Sequence, residues 1–171
     1  MRSTSWLWLP LVAMSASVYA KSYFTLEQAQ QAIFPGAKLV EAFVTLTEAQ
    51  KREIEQRAGV NVRSSEIRLW QVVGGGFFVV DEVVGKHELI TYAIGLTAEG
   101  AVKQIEIMDY RENYGYEIRN ARWRDQFTGK TSAAPLKVDT DVQNISGATL
   151  SCRHVTEGVR RILASYEIAF K

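Results

Sequence analysis

The fold is decided by the stretch Leu89-Ile-Thr-Tyr-Ala-Ile-Gly-Leu-Thr-Ala-Glu-Gly-Ala-Val-Lys-Gln-Ile-Glu-Ile107, in which two strand-like runs flank one short turn. Residues 89–96 and 101–108 are rich in β-branched and aromatic side chains, a composition typical of strands. Thr97-Ala-Glu-Gly100 separates the two runs and is short enough for a hairpin connection. The stretch therefore predicts two adjacent antiparallel strands.

Two more runs of the same kind precede this stretch. Residues 67–73 and 77–84 are again β-branched and aromatic, and Gly74-Gly75-Gly76 predicts a turn or bulge between them. The four runs follow one another with short connections. They predict an antiparallel β-meander.

Helices are predicted on both sides of the meander. Thr25-Leu-Glu-Gln28 and Thr47-Glu-Ala-Gln50 have the pattern of a capping box, in which a threonine and a glutamine three residues later satisfy each other's backbone amides. The first helix extends through Phe34 and the second ends at Gly59, with a short strand over residues 40–45 between them.

The C-terminal part predicts a short helical stretch over 121–127 and a long helix from about Ser151 to Tyr166. Apolar side chains of the long helix recur on one face, at Val155, Val159, Ile162 and Leu163. The predicted fold class is α+β, an antiparallel β-meander packed with helices.

Composition places the chain among folded globular proteins. Apolar residues make up 47% of the 171 residues and charged residues 23%, which indicates one domain with a real core. The net charge is only +1, so the sequence lacks the basic excess of a nucleic-acid-binding surface.

The first 20 residues have the pattern of an export signal. Arg2 is the positive residue, residues 6–18 form an apolar run, and Val18-Tyr19-Ala20 resembles a cleavage site with small residues. We expect a periplasmic or otherwise extracytoplasmic protein, soluble after removal of the signal peptide.

The tetrapeptide Ser146-Gly147-Ala148-Thr149 lies just before the long helix and is the strongest candidate site. Glycine permits close approach of a ligand to the backbone. The first amides of a helix have no partner within it and attract anions, phosphate included. The Thr149 oxygen is able to hydrogen-bond a phosphate or be esterified by it. The alternative is a plain capping turn, with Ser146 or Thr149 as the helix N-cap.

The segment Asn144-Ile-Ser-Gly-Ala-Thr-Leu-Ser151 resembles the flavinylation motif of FMN-binding domain proteins, among them subunits of sodium-pumping NADH:quinone oxidoreductase and of Rnf complexes. Three further segments resemble that family in order and spacing: residues 89–107, Arg111-Glu-Asn-Tyr-Gly-Tyr116, and Gln126-Phe-Thr-Gly-Lys130. Together they cover roughly residues 86–166. The acidic residue that the family has three positions before the motif serine is Gln143 here.

The resemblance implies FMN as the cofactor, joined to Thr149 through a phosphoester bond that a flavin transferase installs. It implies an electron carrier rather than a free-standing catalyst, with a membrane-bound or periplasmic redox partner. Two alternatives stay open: an exported binding module in which the tetrapeptide is only a helix cap, and an FMN-dependent reductase of a small substrate.

The candidate cofactor residues follow from this resemblance and from what a flat, largely apolar ring with polar edges requires. Tyr114, Tyr116 and Trp123 are predicted as walls, Gly115 as a point of close backbone approach, and Glu112 as a hydrogen-bonding group. Glu117, Arg119 and Lys130 are weaker candidates. The full predicted cofactor-binding set is Thr149, Ser146, Gly147, Ala148, Leu150, Glu112, Tyr114, Gly115, Tyr116 and Trp123.

The predicted organisation has three parts. Residues 1–20 are the signal peptide, residues 21–85 a helical and strand region that completes the domain, and residues 86–171 the FMN-binding domain. No catalytic residue and no metal ligand is predicted.

Overall fold

The structure is a computed structural model that describes residues 23–171. The predicted export signal, residues 1–20, lies outside these residues. Helix α1 spans Leu26–Ile33 and helix α2 spans Glu48–Ala58. Both begin with the predicted capping box, at Thr25 and Thr47, and α2 ends at Gly59 in the left-handed conformation.

The described residues contain an antiparallel sheet of six strands. The strands are β1 (Leu39–Glu41), β2 (Val44–Thr45), β3 (Glu66–Val72), β4 (Phe77–Val84), β5 (Leu89–Leu96) and β6 (Val102–Tyr110). Their order is β1-β3-β4-β5-β6, and β2 also pairs with β3. The predicted meander is therefore confirmed as β3 to β6. The strand predicted over 40–45 is instead two short strands, interrupted at Ala42 and Phe43.

Both faces of the sheet are covered, which explains why β4 has consecutive buried residues. Phe78 and Val80 face the side where α1 packs, and Val79 belongs to the larger cluster on the other side. Successive side chains of a strand point to opposite faces, so a strand buried on both sides has no polar alternation.

Helix α4 (Thr149–Ser165) covers the face of the sheet that carries the larger hydrophobic cluster. It continues as a π-helix over Tyr166–Phe170. Val155, Val159 and Leu163 are fully buried there, as their spacing predicts. The helix begins two residues earlier than the sequence predicts, because its first backbone bond runs from the Cys152 amide to the Ala148 carbonyl.

Between β6 and α4 the chain forms a series of short helical turns. A 3-10 helix spans Tyr116–Arg119, α3 spans Ala121–Arg124, and a second 3-10 turn spans Asp125–Phe127. Within residues 23–171, no helix is both long and apolar enough to cross a bilayer.

Candidate functional site

The tetrapeptide Ser146–Thr149, called the S-G-A-T turn below, places a threonine hydroxyl at the surface. The Ala148 amide donates to the Ile145 carbonyl at 2.9 Å, and Gly147 has a φ of +84° with open space around it. Ala148 is buried, whereas Ser146, Gly147 and Thr149 are exposed. The turn thus presents Thr149 to solvent while Ala148 anchors it in the core.

Helix α4 starts without a side-chain cap. Its N-cap residue is Ala148, which has no polar side-chain group, and no side chain accepts a capping hydrogen bond there. Neither Ser146 nor Thr149 acts as the N-cap, so the structure does not support the capping alternative. The first amides of α4 remain available to an anion next to the Thr149 hydroxyl.

The Tyr110 hydroxyl connects the S-G-A-T turn to residues 111–116, called the tyrosine loop below. It donates to the Tyr114 carbonyl at 2.5 Å and lies 3.0 Å from the Ser151 Oγ. Because the Tyr110 proton is used on the carbonyl, the Ser151 hydroxyl donates to Tyr110. Burial raises the pKa of Tyr110, which keeps this donor protonated at neutral pH.

Gly115 packs the tyrosine loop directly against the S-G-A-T turn. It is buried with a φ of +90°. A Cβ at this position would lie 2.6 Å from the Ala148 Cβ and 2.6 Å from the Tyr110 hydroxyl. Only glycine allows this contact, so the close approach at Gly115 that the structure shows is to Ala148 and Tyr110, and its predicted approach to a flavin stays a prediction.

Three large apolar side chains remain exposed around this contact. Tyr114 is 80% exposed, Tyr116 58% and Leu150 38%. The two tyrosines flank Gly115, and Leu150 directly follows Thr149. We call Tyr114, Tyr116 and Leu150 the apolar platform. Aromatic and aliphatic surface of this kind suits the flat ring of a flavin.

A groove of about 150 Å³ runs beside Thr149. The Asn144 Nδ2 donates to the Thr149 Oγ1 at 3.3 Å and links the groove to the hydroxyl. Trp123 is 4% exposed and contributes only part of its ring to the lining, since its Nε1 donates to the Gln143 carbonyl and Phe127 packs on it. The lining includes Glu117, Arg122, Trp123, Gln126, Gln143 and Asn144.

Glu112 is bonded to backbone amides of the turn between β4 and β5. Its Oε1 accepts hydrogen bonds from the His87 amide at 2.5 Å and the Glu88 amide at 3.0 Å. Burial opposes ionisation of this carboxyl, but the amide bonds outweigh it and lower its pKa. Glu112 therefore ties the start of the tyrosine loop to the turn between β4 and β5.

Two weaker candidates are also engaged elsewhere. The Arg119 guanidinium lies 3.6 Å from the centre of the Tyr23 ring, and the Lys130 Nζ pairs with Asp141 Oδ2 at 2.8 Å. Asp141 also accepts from the Leu136 and Lys137 amides. Although burial opposes it, the Lys130 contact lowers the Asp141 pKa. Asp141 is thus already engaged by one cation and two backbone amides.

Two residues of the site are not in the cofactor-binding set that the sequence predicts. Tyr110 and Asn144 hold the site together, yet Tyr110 looks like an ordinary core aromatic and Asn144 like a loop residue. Their partners lie 41 and 5 residues away along the chain, and only the longer contact needs the fold to form. Among the described residues, no group of three or more His, Cys, Asp or Glu side chains is placed to hold a metal ion.

Comparison with known proteins identifies the segment that builds this site. Residues 85–164 match the family model described as FMN-binding domain. A curated relative, one of the subunits of the Na(+)-translocating ferredoxin:NAD(+) oxidoreductase complex of Acetobacterium woodii, is 30% identical over 92 residues. The alignment covers 48% of this chain and 43% of the relative, so the chain spans less than half of that protein.

The residues present fit FMN on chemical grounds. The uncapped start of α4 and the Thr149 hydroxyl suit its phosphate, and the apolar platform suits its ring. The family match extends from the end of β4 to the end of α4 and includes the tyrosine loop and the S-G-A-T turn. Residues 85–164 therefore match the FMN-binding domain family, and FMN is the cofactor.

Proposed function

We propose that this chain is an exported electron-transfer flavoprotein that holds FMN through a phosphoester bond to Thr149. The observation that carries the proposal is the exposed Thr149 hydroxyl at the uncapped start of α4, next to the apolar platform. A phosphate at this position meets unpartnered backbone amides and the positive end of the helix dipole.

Attachment at Thr149 requires an accessible oxygen and space for the phosphate. Thr149 is exposed, and nothing lies within 4 Å of the position where Gly147 would carry a Cβ. Forming the bond joins the Thr149 Oγ1 to the FMN phosphorus with the net loss of one water molecule. We propose a flavin transferase as the partner that makes this bond.

The size of the groove supports a tethered carrier. At about 150 Å³ it is smaller than the roughly 300 Å³ of pockets that enclose drug-sized ligands, so most of a flavin stays outside it. A covalent bond would then prevent loss of the cofactor. When bound, FMN supplies the electron-transfer chemistry, and the protein supplies attachment and orientation.

The redox partner is proposed to be membrane-bound or periplasmic. The Acetobacterium woodii relative is named as a subunit of an ion-translocating oxidoreductase complex. The sequence of residues 1–20 has the pattern of an export signal, which favours a site of action outside the cytoplasm. Fractionation of cells that express the full chain tests this location directly.

The visible spectrum tests the carrier role against its alternatives. We expect yellow protein that absorbs near roughly 450 nm, as flavins do, bleaches on chemical reduction and recovers with an electron acceptor. Colourless protein from cells that also make a flavin transferase would favour a binding module. Steady turnover of a small substrate with an artificial electron donor would favour a reductase.

A further inference from the structure

The groove beside Thr149 contains two oxygen atoms that the protein leaves without a partner. The Glu117 Oε2 and the Asn144 Oδ1 are both buried, and neither accepts a hydrogen bond from any of residues 23–171. Both residues line the same groove. Buried polar atoms are normally hydrogen-bonded, so two such atoms in one groove need a ligand or ordered water as partner.

The unpaired atoms are acceptors, which restricts the chemistry of the ligand. A carboxylate oxygen and a carboxamide oxygen accept hydrogen bonds but do not donate them. The Asn144 amide is oriented by its other end, since Nδ2 donates to the Thr149 Oγ1 at 3.3 Å. The groove therefore selects a ligand that presents hydrogen-bond donors, such as hydroxyl groups, within reach of Thr149.

Attachment of a phosphate at Thr149 preserves this orientation. An ester oxygen has no proton but keeps its lone pairs, so the Asn144 Nδ2 is able to donate to Oγ1 before and after the bond forms. The Asn144 Oδ1 then stays free to accept a hydrogen bond in both states. Asn144, which lines the groove, is therefore the residue that links it to the atom to which we propose the phosphate is joined.

The volume of the groove suits a chain rather than a ring system. About 150 Å³ is too small to enclose a flavin but admits a short, narrow polyol. We propose that this groove binds the polyol chain of the flavin, whose hydroxyl groups donate to Glu117 Oε2 and Asn144 Oδ1. The inference rests on the proposed function and adds two residues that position the cofactor.

The test compares flavins with and without the polyol. Protein expressed without a flavin transferase is titrated with FMN, with riboflavin and with lumiflavin, which has the ring but no polyol. Binding is followed by flavin fluorescence. We expect Asn144→Ala and Glu117→Ala to weaken FMN and riboflavin binding by about 3- to 10-fold, the value of one hydrogen bond, and to leave lumiflavin unchanged.

Matched controls make the same substitutions in exposed residues away from the groove. Asn61→Ala lies in the loop after α2, and Glu99→Ala in the turn between β5 and β6. Both should bind all three flavins like the wild-type protein. Groove variants that bind FMN normally, or whose affinity for lumiflavin falls as much as that for FMN, would overturn the polyol assignment alone. A wild-type protein that binds no flavin would overturn the proposed function as well.

The covalently loaded protein provides a second readout. If the polyol is held by Glu117 and Asn144, the tethered flavin moves less freely, and its fluorescence anisotropy falls in both groove variants but not in the controls. Unchanged anisotropy in the groove variants, at equal loading by intact mass, would contradict the assignment.

Discussion

At the residue scale, the Tyr110 hydroxyl holds the tyrosine loop and the start of α4 in one arrangement. Tyr110→Phe removes the bonds to the Tyr114 carbonyl and Ser151 and leaves the Ser151 hydroxyl buried without that partner. We expect a loss of about 1–2 kcal/mol in the free energy of unfolding, measured in urea, together with weaker flavin binding.

The matched control is another buried tyrosine with one hydroxyl bond. Tyr166 donates to the Ala98 carbonyl at 2.7 Å, at the other end of α4. Tyr166→Phe should lose about 1 kcal/mol of stability and keep its affinity for flavin. Equal affinities of the two variants would show that the Tyr110 hydroxyl only stabilises the fold.

A second prediction concerns the stability of a variant at Gly115. Gly115→Ala adds a Cβ that meets Ala148 and Tyr110 and also strains a φ of +90°. We expect a loss of about 2–5 kcal/mol in the free energy of unfolding, from overpacking and strain together. Gly129→Ala, with a φ of +79° and open space, should cost only about 1 kcal/mol. Similar costs for both would mean that the Gly115 contact is not tight.

Some of these residues could be predicted from the sequence, and others could not. Thr149 was predictable as a candidate because its motif is local, and Gly115 because it lies in a short loop that resembles one of the family. The engagement of Glu112 with the His87 and Glu88 amides was not, because these partners lie 25 and 24 residues from Glu112 and meet it only when β5 and β6 pair. Contacts of that kind depend on the register of the sheet.

At the element scale, a buried ion pair fastens α4 to the sheet. Arg161 of α4 donates to Asp81 Oδ2 of β4 at 2.5 Å, and the Tyr92 hydroxyl of β5 donates to the same oxygen at 2.6 Å. Burial raises the pKa of Asp81 despite the opposing effect of Arg161. The arrangement holds the helix that carries Thr149 against β4 and β5.

Removal of the cation should therefore give a pH-dependent loss of stability. Arg161→Leu leaves the Asp81 carboxylate buried without a counter-ion, which should cost about 3–5 kcal/mol at pH 7. The folded state then binds the Asp81 proton more tightly than the unfolded chain. The loss should shrink as the pH falls through the raised pKa towards the ordinary value of 3.8.

Urea unfolding of the variant and the wild-type protein at a series of pH values measures this loss. In the double variant Asp81→Asn/Arg161→Leu no carboxylate remains at this position, so its free energy of unfolding should not show the gain on acidification that Asp81 gives to Arg161→Leu. If the free energy of unfolding that Arg161→Leu loses is the same at every pH, or grows as the pH falls, the role assigned to the ion pair would be contradicted.

The elements themselves were predictable where their signals are local. The capping boxes at Thr25 and Thr47 gave both helix starts, and the apolar runs gave β4 and β5 with their observed bounds. The start of α4 was misplaced by two residues, because its N-cap is Ala148 and no capping side chain marks it. Burial of Ala148 against Gly115 sets that boundary, and it requires the tertiary fold.

At the scale of the whole molecule, the region before the family match is part of the same structure. Strand β4 pairs with β5 along all eight residues, from Phe77 with Leu96 to Val84 with Leu89. Helix α1 packs on one face of the sheet, and α2 contacts α4 on the other. The sequence predicts β3 and β4 within residues 21–85 as part of the meander, but not the pairing of β1 and β2 with β3.

Residues 85–171 alone should therefore not fold. Without β4, strand β5 keeps only β6 as a partner, and its core residues Tyr92 and Ala93 lose neighbours on the two opposite faces of the sheet. We expect a circular dichroism spectrum without a cooperative thermal transition, compared with a sharp transition for residues 23–171. A cooperative transition in the short fragment would show that the matched segment is an independent domain.

The most direct measurement is the intact mass of the protein expressed together with a flavin transferase. The same measurement is made on Thr149→Ala and on the control Thr140→Ala. Thr140 is an exposed threonine outside the S-G-A-T turn. We predict a gain of one FMN less one water for the wild-type protein and for Thr140→Ala, and no gain for Thr149→Ala. A gain that persists in Thr149→Ala, or yellow wild-type protein without any gain, would contradict attachment at Thr149.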